Sequence, residues 1–307
     1  MKEIKKLLFP LIIIIAISLV VVYLEGYKKN LLVTVFIFIG GLYVKDNVSK
    51  LYYQLRFLLG QHSWKRSQRE LEISGKLQDS TLVRISFAYL FRIKVCGKYF
   101  LVPNSRTEKY QPVGGAYKFD RNEAIYLSKK FSAENDDFIR VDEVTEMDYR
   151  LLIKNEDLKA FVKRFDRTTY RENIDDLSRE FKEEIFKAGI LKQEDFGTLN
   201  YRYCGRHMTD IKQSPVGRFE ILLADIVEVD LTDNQEELFK NLMKNASIKY
   251  QFATTKDIKS LGMDVGKQKY KDTIANHTSK LLSENSKELY KKIRYRYKYR
   301  SSISISL

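Results

Sequence analysis

The sequence predicts an α+β domain that follows two closely spaced N-terminal transmembrane helices. Three observations support this prediction: two uncharged apolar runs within the first 45 residues, a two-residue apolar period that begins near Leu82, and helical periods in much of the remaining chain. Of the 307 residues, 44% are hydrophobic and 13% are aromatic, which is enough to build a folded core and excludes a disordered chain.

The net charge of +14 is concentrated near the two ends of the chain. Residues 1–60 carry +5 and residues 287–300 carry +6, so that residues 61–286 carry only +3. Basic ends around a nearly balanced middle are typical of contact with an anionic membrane and argue against a nucleic-acid groove. Cys96 and Cys204 are too few for a disulfide scaffold and fit a reducing compartment, and three histidines give no zinc motif.

Residues 1–45 predict a transmembrane hairpin. The run 7–24 has no charged residue and is about as long as a membrane crossing requires, and the run 31–44 is also uncharged. No Ala-x-Ala-like cleavage site follows the first run, which disfavours a signal peptide. The alternative is one span followed by a packed helix. More lysines flank the outer ends of the two runs than lie in the turn, so we expect both ends of the hairpin in the cytoplasm.

The segment that follows divides into a linker and a folded domain. Residues 46–80 predict a juxtamembrane helix and linker, because leucines recur there at helical spacing. Residues 81–290 predict the folded domain. Within it, residues 82–102 are rich in β-branched and aromatic side chains and are interrupted at Gly97, which predicts a β-hairpin. Residues 120–170 predict mostly helix.

Two features of the domain suggest a ligand, and each of them also has a simpler structural interpretation. Gly114 and Gly115 permit close approach of the backbone to a ligand, but an ordinary turn also explains a glycine pair. Asp225 lies among aliphatic residues on one face of a predicted strand at 218–231. We favour a hydrogen-bonded core position for this carboxylate over a ligand contact.

Residues 175–189 predict an amphipathic helix that ends at a glycine. Its predicted buried residues recur every fourth position: Leu177, Phe181 and Ile185. Its clustered carboxylates share one face: Glu180, Glu183 and Glu184. Carboxylates so close together suit a divalent cation with oxygen ligands, such as Mg²⁺ or Mn²⁺, while the simpler interpretation is a solvated charged face.

Residues 291–307 predict a basic C-terminal strand. From residue 293 onward, tyrosines and aliphatic residues alternate with arginine, lysine and serine, which is the period of a half-buried strand. Interleaved aromatic and basic residues also describe a nucleic-acid contact. A strand within a sheet or against a membrane is the more economical interpretation, and no direct nucleic-acid partner is expected.

The order of a strand, Gly114-Gly115, a helix and further strands resembles a NUDIX domain. Residues 179–184 reproduce the Arg-Glu-x-x-Glu-Glu core of the NUDIX box. The box is interrupted, however, because the arginine lies 64 residues beyond Gly115 instead of the usual 14. In addition, Arg121 stands where the box has a glutamate. About 50 residues are therefore inserted.

Residues 85–282 resemble more closely the SMODS-associated NUDIX family. The segments that carry this likeness are 110–118, 179–191, 201–207, 220–226 and His277-Thr278. In that family the domain is fused to a two-helix membrane hairpin, as here. The family's members are predicted effectors of CBASS, a bacterial antiphage system in which a CD-NTase makes a cyclic nucleotide on infection.

The resemblance implies a nucleotide-sensing domain that triggers membrane damage. A cyclic oligonucleotide is expected to bind the domain, and the hairpins are then expected to oligomerise and disrupt the lipid of the bacterial inner membrane, which causes abortive infection. The candidate ligand-binding residues are Tyr110, Gln111, Gly114, Gly115, Tyr117, Tyr203, Arg206, His207, Arg218 and Asp225. The two arginines would pair with phosphates, and tyrosines would stack on bases.

The alternative is a membrane-tethered NUDIX hydrolase of a nucleoside diphosphate derivative. In such hydrolases Glu183 and Glu184 would ligate Mg²⁺ or Mn²⁺, and Glu180 would be a ligand or base. A cyclic dinucleotide contains phosphodiesters but no diphosphate, and the box is interrupted. We therefore favour binding, which requires no cofactor, over catalysis.

Overall fold

A computed structural model describes residues 63–104, 106–136, 142, 145–214, 217–263, 266, 271–289 and 302–307. The predicted spans at 7–24 and 31–44 lie outside these residues, as does most of the predicted juxtamembrane segment. Within the described part of the chain, no helix combines the length and the apolar composition that a membrane crossing needs.

The helices that the structure describes are, in chain order, α1 (Ser63–Ile73), α2 (Arg121–Phe131), α3 (Leu158–Phe165), α4 (Ser178–Phe181), α5 (Gln193–Phe196), α6 (Asp233–Met243) and α7 (Thr255–Lys259). A π-helix continues α4 over Lys182–Lys187. The 3-10 helices are Asn155–Asp157, Asn276–Leu281 and Ser283–Glu288.

The described strands are β1 (Leu82–Arg92), β2 (Lys94–Val95), β3 (Lys98–Pro103), β4 (Tyr110–Gln111), β5 (Gly114–Ala116), β6 (Glu134–Asn135), β7 (Arg150–Lys154), β8 (Thr198–Met208), β9 (Lys212–Gln213), β10 (Phe219–Val229), β11 (Gln251–Ala253) and β12 (Ile303–Ser306). The larger sheet has the order β12-β8-β10-β1-β7-β6, with β5 also beside β1 and β9 beside β10. In the smaller sheet, β3 lies between β11 and β2 and also pairs with β4. The hairpin predicted within 82–102 is present, because β2 and β3 are joined by a turn at Cys96-Gly97.

The two central strands of the larger sheet, β1 and β10, run parallel to each other, and β1 pairs antiparallel with β7. Alternate side chains of β1 form what we call the core face, and none of them is exposed: Val83, Ile85, Phe87, Tyr89 and Phe91. Helices α3 and α4 cover this face with buried phenylalanines, so that the main core lies here. The mixed sheet with covering helices agrees with the predicted α+β class.

The region predicted as mostly helical, 120–170, is only partly helical. Helices α2 and α3 form there, but β6 and β7 form between them and extend the larger sheet beyond β1. The central residues of β7, Leu151 to Ile153, are consecutive buried aliphatics, and such a run does not alternate in the way that identifies a strand. The inserted residues are therefore part of the sheet.

A buried carboxylate holds the inserted helices together. Glu123 on α2 is fully buried and accepts hydrogen bonds from two nitrogens of Arg164 on α3, at 3.0 and 2.6 Å. The hydroxyls of Thr168 and Tyr149 also donate to it, at 2.7 and 3.3 Å. Because a carboxylate removed from water is stable only when it is paired, these four bonds fix α2 against α3.

The last described residues form an edge strand. Strand β12 pairs antiparallel with β8 in a register that sets Ile303 opposite Tyr201 and Ile305 opposite Leu199. This pairing agrees with the alternation of the final residues and occupies the outer edge of β8. Residues 290–301, which contain the basic and tyrosine part of the pattern, lie outside the described residues.

Replacing Glu123 with alanine is expected to destabilise the protein by about 3 kcal/mol, because Arg164 and two hydroxyls lose their buried partner. Urea unfolding of the full chain, followed by circular dichroism, measures this loss. Glu237→Ala, at an exposed position on α6, is the matched control and should change stability by less than about 0.5 kcal/mol. Equal stability of the two variants would contradict the role of this carboxylate.

Candidate functional site

The glycine pair lies in strand β5 rather than in a turn, and it is required by close packing. A Cβ atom at Gly115 would lie 2.0 Å from Oε1 of Glu180, so a side chain there would displace this carboxylate from its present position. Gly114 has a φ of +138°, and a Cβ atom there would lie 2.2 Å from the carbonyl oxygen of Tyr89. Gly115 therefore leaves room for the Glu180 carboxylate, and Gly114 lets β5 lie close to β1.

The glutamate helix buries the residues that its periodicity predicts. Leu177, Phe181 and Ile185 are fully buried. The helix is not uniform, however, because its hydrogen bonding changes from α to π at Lys182. Short π-helical segments are uncommon and are found frequently at functional sites. The change falls between Glu180 and the other two glutamates and so alters their relative positions.

The guanidinium of Arg179 organises the carboxylates of this helix. One of its nitrogens lies 2.7 Å from Glu180 and 3.4 Å from Glu183, and another donates to the carbonyl oxygen of Ala116 in β5 at 2.9 Å. Burial opposes the charge of Arg179, but its hydrogen bonds to Glu172 and the nearby carboxylates raise its pKa above the ordinary value. Arg179 is therefore a permanent cation at the centre of this cluster.

Glu172 is a member of the cluster that sequence reasoning missed. Both of its oxygens bind Arg179, at 2.6 and 3.1 Å, and one also accepts the backbone N–H of Lys118 at 2.8 Å. It lies seven residues before Arg179 and about 50 residues beyond the position at which a box glutamate was expected. The box places its glutamate eight residues before the arginine, so counting backwards from Arg179 would have pointed to within one residue of Glu172. Its carboxylate partners the arginine across the insertion.

Glu184 differs from the other glutamates because it turns toward the backbone of β5. It accepts the N–H of Gly114 at 2.8 Å and a hydrogen bond from the side chain of Gln111. Burial, and then the charges of Glu180 and Glu183, raise the pKa of Glu184 from its ordinary 4.5 to about 8. Burial likewise raises the pKa of Glu180, against the opposing effect of Arg179. The cluster thus carries more carboxylate than Arg179 neutralises.

The three glutamates have the right ligand atoms for a divalent cation, but their positions do not form a site for one. Carboxylate oxygens are the ligands that Mg²⁺ and Mn²⁺ prefer. Yet Glu180 and Glu183 are bound to Arg179 and Glu184 is bound to the backbone, and no three suitable groups in the described residues are grouped around a possible ion position. Metal binding by Glu180, Glu183 and Glu184 therefore stays a prediction.

The face of the larger sheet opposite the core carries small side chains at its centre. Three alanines on neighbouring strands lie side by side there, because Ala88 on β1 pairs with Ala116 on β5 and is level with Ala224 on β10. Ala88 and its neighbour Ser86 are partly exposed although they lie on a central strand. Small side chains at the middle of a sheet leave room that larger residues would fill. We call this surface the alanine floor.

Paired charges lie at one side of the alanine floor. Arg84 binds Asp136 at 2.6 Å and Glu220 at 3.2 Å, so that its charge is neutralised. Arg150 on β7, opposite Ser86 of β1, binds Asp148 at 2.9 Å. Burial lowers the pKa of Arg150 from its ordinary value, against the opposing effect of Asp148.

The backbone of Lys280 lies at the other side of the alanine floor. Lys280, in the 3-10 helix Asn276–Leu281, makes no side-chain hydrogen bond or ion pair with any described residue. Its carbonyl oxygen lies 3.2 Å from Nε2 of His207, which is opposite Ala224 of the alanine floor. Burial and then the nearby Lys212 lower the pKa of Lys280 from its ordinary 10.5, while burial and Lys280 together lower that of His277 to about 4.

Comparison with known protein families identifies the domain. A family model described as the SMODS-associated NUDIX domain matches residues 82–282. The chain belongs to this family. No curated protein and no solved structure matches the chain. The matched range begins with β1, includes the inserted helices and the glutamate helix, and ends just after the 3-10 helix that carries Lys280. A mixed sheet with helices around it fits a NUDIX-like domain, and membership supports a CBASS-type effector role.

Four of the residues predicted to contact the ligand instead bind one another on the core face of this SMODS-associated NUDIX domain. Arg206 donates to both oxygens of Asp225, at 2.7 and 2.8 Å, and to Asp166 at 2.8 Å. The hydroxyls of Tyr117 and Tyr203 donate to the same aspartate, at 2.8 and 3.0 Å. Although burial opposes it, Arg206 holds the pKa of Asp225 below its ordinary value.

This network supports the core interpretation of Asp225. The aspartate is 2% exposed and Arg206 is 7% exposed, and each of the three guanidinium nitrogens already has a carboxylate partner. A phosphate would have to displace Asp225 or Asp166 to pair with this arginine. The sequence pattern could not reveal this, because the arginine and the aspartate come from different strands.

The remaining predicted ligand residues are spread around the sheet. Tyr110 lies in β4, where its hydroxyl donates to the carbonyl oxygen of Ile248 at 3.2 Å. His207 borders the alanine floor, and Arg218 directly precedes β10. Gln111 contacts the glutamate cluster. Only His207 among these four therefore lies at the alanine floor itself.

Glu184→Gln is expected to change how stability depends on pH. The folded pKa of Glu184 is raised to about 8, so its contribution to stability is fully present below its unfolded pKa, near 4.5, and is lost as pH rises toward 8. The glutamine variant keeps the hydrogen bond from Gly114 and removes this titration. Urea unfolding between pH 5 and pH 8 should therefore show a smaller decline for the variant than for the unmodified protein. A decline identical to that of Glu237→Gln, the exposed control, would contradict the prediction.

Proposed function

We propose that this chain is an effector of a CBASS antiphage system whose NUDIX-like domain binds a cyclic nucleotide made by a CD-NTase. The observation that carries the proposal is the alanine floor, where small side chains lie at the centre of the larger sheet: Ser86 and Ala88 are partly exposed there, and Ala116 and Ala224 are buried. Arg150 on β7 and His207 on β8 flank it. Membership of the SMODS-associated NUDIX family supports a cyclic nucleotide as the ligand.

The physical case for binding rests on the contrast between the two faces of β1. The core-face residues of this strand are fully buried, whereas Ser86 and Ala88 on the other face remain partly exposed. Because a flat surface of small residues accepts a planar ring, a nucleotide base is a suitable occupant. Three strand spacings separate Arg150 from His207 across the floor, about 14 Å, which accommodates more than one nucleotide unit.

The ligand is bound in this proposal without being hydrolysed. Arg179 binds two of the three glutamates that a catalytic metal would need, and the third faces the backbone of β5. Breaking these contacts costs free energy that a binding domain does not have to supply. The protein is therefore proposed to act as a sensor, with no cofactor required.

The membrane part of the proposal concerns residues 7–24 and 31–44. These runs would form a multi-pass hairpin in the bacterial inner membrane, with the domain in the cytoplasm. A single hairpin encloses no polar path, so several copies must assemble to damage the membrane. An effector that is silent before infection and active afterwards needs a ligand preference of roughly 5.5 kcal/mol for the active state.

The full chain, purified in detergent, is expected to bind at least one of c-di-AMP, c-di-GMP, 3′3′-cGAMP and cyclic tri-AMP. In dye-loaded liposomes the same ligand should cause leakage. Ala88→Leu fills the alanine floor and should weaken binding at least about tenfold, which corresponds to 1.4 kcal/mol. Isothermal titration calorimetry and dye release measure the two effects.

Two controls make this test specific. Ala246→Leu adds the same atoms at an exposed position and should leave the affinity unchanged. Removal of residues 1–45 should abolish leakage while binding persists. Tight binding of a cyclic nucleotide without leakage at any protein density would refute the membrane part, and full affinity in Ala88→Leu would refute the binding site.

A second candidate function is hydrolysis of a nucleoside diphosphate derivative, and the grouping of four carboxylates around Arg179 favours it. The helix supplies Glu180, Glu183 and Glu184, and Glu172 completes the group. When bound, Mg²⁺ or Mn²⁺ would activate water and offset the charge that develops on the phosphate. The glutamates would hold the ion, and Glu172 would keep Arg179 in place.

We expect hydrolysis by this protein to be weak or absent. The measurement is release of mononucleotide from ADP-ribose and from diadenosine polyphosphates, with Mg²⁺ or Mn²⁺ and with a chelator. The double variant Glu183→Gln and Glu184→Gln removes two carboxylate charges and keeps their shape. Rapid, metal-dependent turnover that this variant abolishes would replace the sensor proposal with the hydrolase.

A further inference from the structure

The inserted helices α2 and α3 carry an exposed basic surface that the proposed binding site does not use. Their single acidic residue, Glu123, is buried. Because residues 61–286 carry only +3 in total, the positive charge on these helices is a local concentration. Six exposed cations lie on the two helices and on the turn that follows α3: Arg121, Lys129, Lys130, Lys159, Lys163 and Arg167.

Exposed hydrophobic side chains accompany these charges. The described part of the chain exposes six large hydrophobic side chains, and three of them lie here: Ile125 at 47%, Tyr126 at 38% and Tyr170 at 46%. The Cζ atom of Arg164 lies 4.1 Å from the ring centroid of Tyr126 and 6.0 Å from that of Tyr170, so one cation holds both rings at the surface. Clustered exposed apolar residues with a charged rim are typical of an interaction site.

The fold fixes this surface in place. Arg164, which contacts the two rings, is bound to the buried Glu123 on α2 at 2.6 Å. Asp120 caps α2, because its carboxylate accepts the backbone N–H of Glu123 at 2.9 Å. The backbone N–H of Asp120 in turn donates to the carbonyl oxygen of Tyr170 at 3.0 Å. These contacts join α2, α3 and the segment of Tyr170, so the charged and apolar side chains form one preformed surface.

A membrane with anionic lipids suits this surface better than a nucleic acid does. Lysine and arginine attract anionic headgroups, while tyrosine and aliphatic side chains enter the boundary between headgroups and hydrocarbon. A nucleic acid would instead need uncovered rings on which its bases stack. One face of Tyr126 is covered by Arg164, and Ile125 offers no ring for stacking.

We propose that the exposed surface of α2 and α3 binds the headgroups of anionic lipids, so that the insertion in the NUDIX box docks the domain on the membrane. The proposal rests on the proposed function only for the anchor at residues 7–24 and 31–44, which would keep the domain close to lipid. The six cations would contact lipid phosphates, and Ile125 and Tyr126 would enter the interface below them. Neither the alanine floor nor the glutamate cluster takes part.

Lysine acetylation of the full chain in lipid nanodiscs, measured by mass spectrometry, tests this contact. The discs contain phosphatidylcholine alone or phosphatidylcholine with about 30% phosphatidylglycerol. Lys129 and Lys130 on α2 should react at least about threefold more slowly in the anionic discs, and high salt should remove this difference. Lys94 and Lys244, which are exposed elsewhere on the domain, should react equally in both kinds of disc.

Charge reversal on α3 provides a pair of matched variants. Lys159→Glu with Lys163→Glu should abolish the slower reaction of the two α2 lysines, because both helices contact the lipid together. Lys192→Glu with Lys256→Glu changes the net charge equally at exposed positions outside the surface and should retain the slower reaction. Equal reaction rates of the α2 lysines in the two kinds of disc, in the unmodified protein, would overturn the proposal.

The outcomes separate this surface from the proposed hairpin, which predicts that alkaline carbonate does not release the full chain from phosphatidylcholine vesicles. Resistance to carbonate without slower acetylation in anionic discs leaves the hairpin and refutes the surface. If carbonate releases the protein, flotation with vesicles that contain phosphatidylglycerol decides. Binding that the α3 variant loses then supports the surface and refutes the hairpin, and absence of binding refutes both. Binding of oligo-dT at about 0.15 M salt, lost in the α3 variant and without any lipid effect, would assign the surface to nucleic acid and overturn the proposal.

Discussion

The ion pair between Arg179 and Glu172 is the interaction on which the site depends most. The guanidinium also contacts Glu180, Glu183 and the backbone of Ala116, so one side chain joins the glutamate helix, strand β5 and the segment that ends the insertion. Gly115 leaves room for the Glu180 carboxylate, which a larger residue at this position would displace. An arginine that neutralises several carboxylates allows them to be crowded together without a bound metal ion.

The glutamate cluster and the 3-10 helix Asn276–Leu281 pose opposite electrostatic problems. At the glutamate cluster, negative charge exceeds what Arg179 offsets, and burial together with Glu180 and Glu183 raises the pKa of Glu184. In the 3-10 helix, burial and then Lys212 lower the pKa of Lys280. The fold therefore disfavours the charged form of a carboxylate in one place and of an amine in the other.

Local sequence patterns predicted local structure well, but they did not predict contacts between residues on different strands. The stripe of Leu177, Phe181 and Ile185 gave the helix and its buried face, because helical period depends on neighbours within a few turns. Glu172 was missed because its contact with Arg179 depends on how the inserted residues fold. Arg206 was expected to face a phosphate, yet it binds Asp225 from the adjacent strand, since register between distant strands sets that contact. Strand β7 was not predicted, because a run of consecutive aliphatic residues occurs in helices as well as in strands.

The parallel pairing of β1 with β10 has a consequence for folding of the chain during its synthesis. Arg84 and Glu220 are in contact although 136 residues separate them along the chain. During synthesis the apolar face of β1 leaves the ribosome long before the strand that lies beside it, and it stays uncovered through the translation of more than a hundred residues. Contacts so distant in sequence make folding slow and leave nascent chains prone to aggregation. The alanine floor does not exist until β10 has been made, so an unfinished chain lacks this surface.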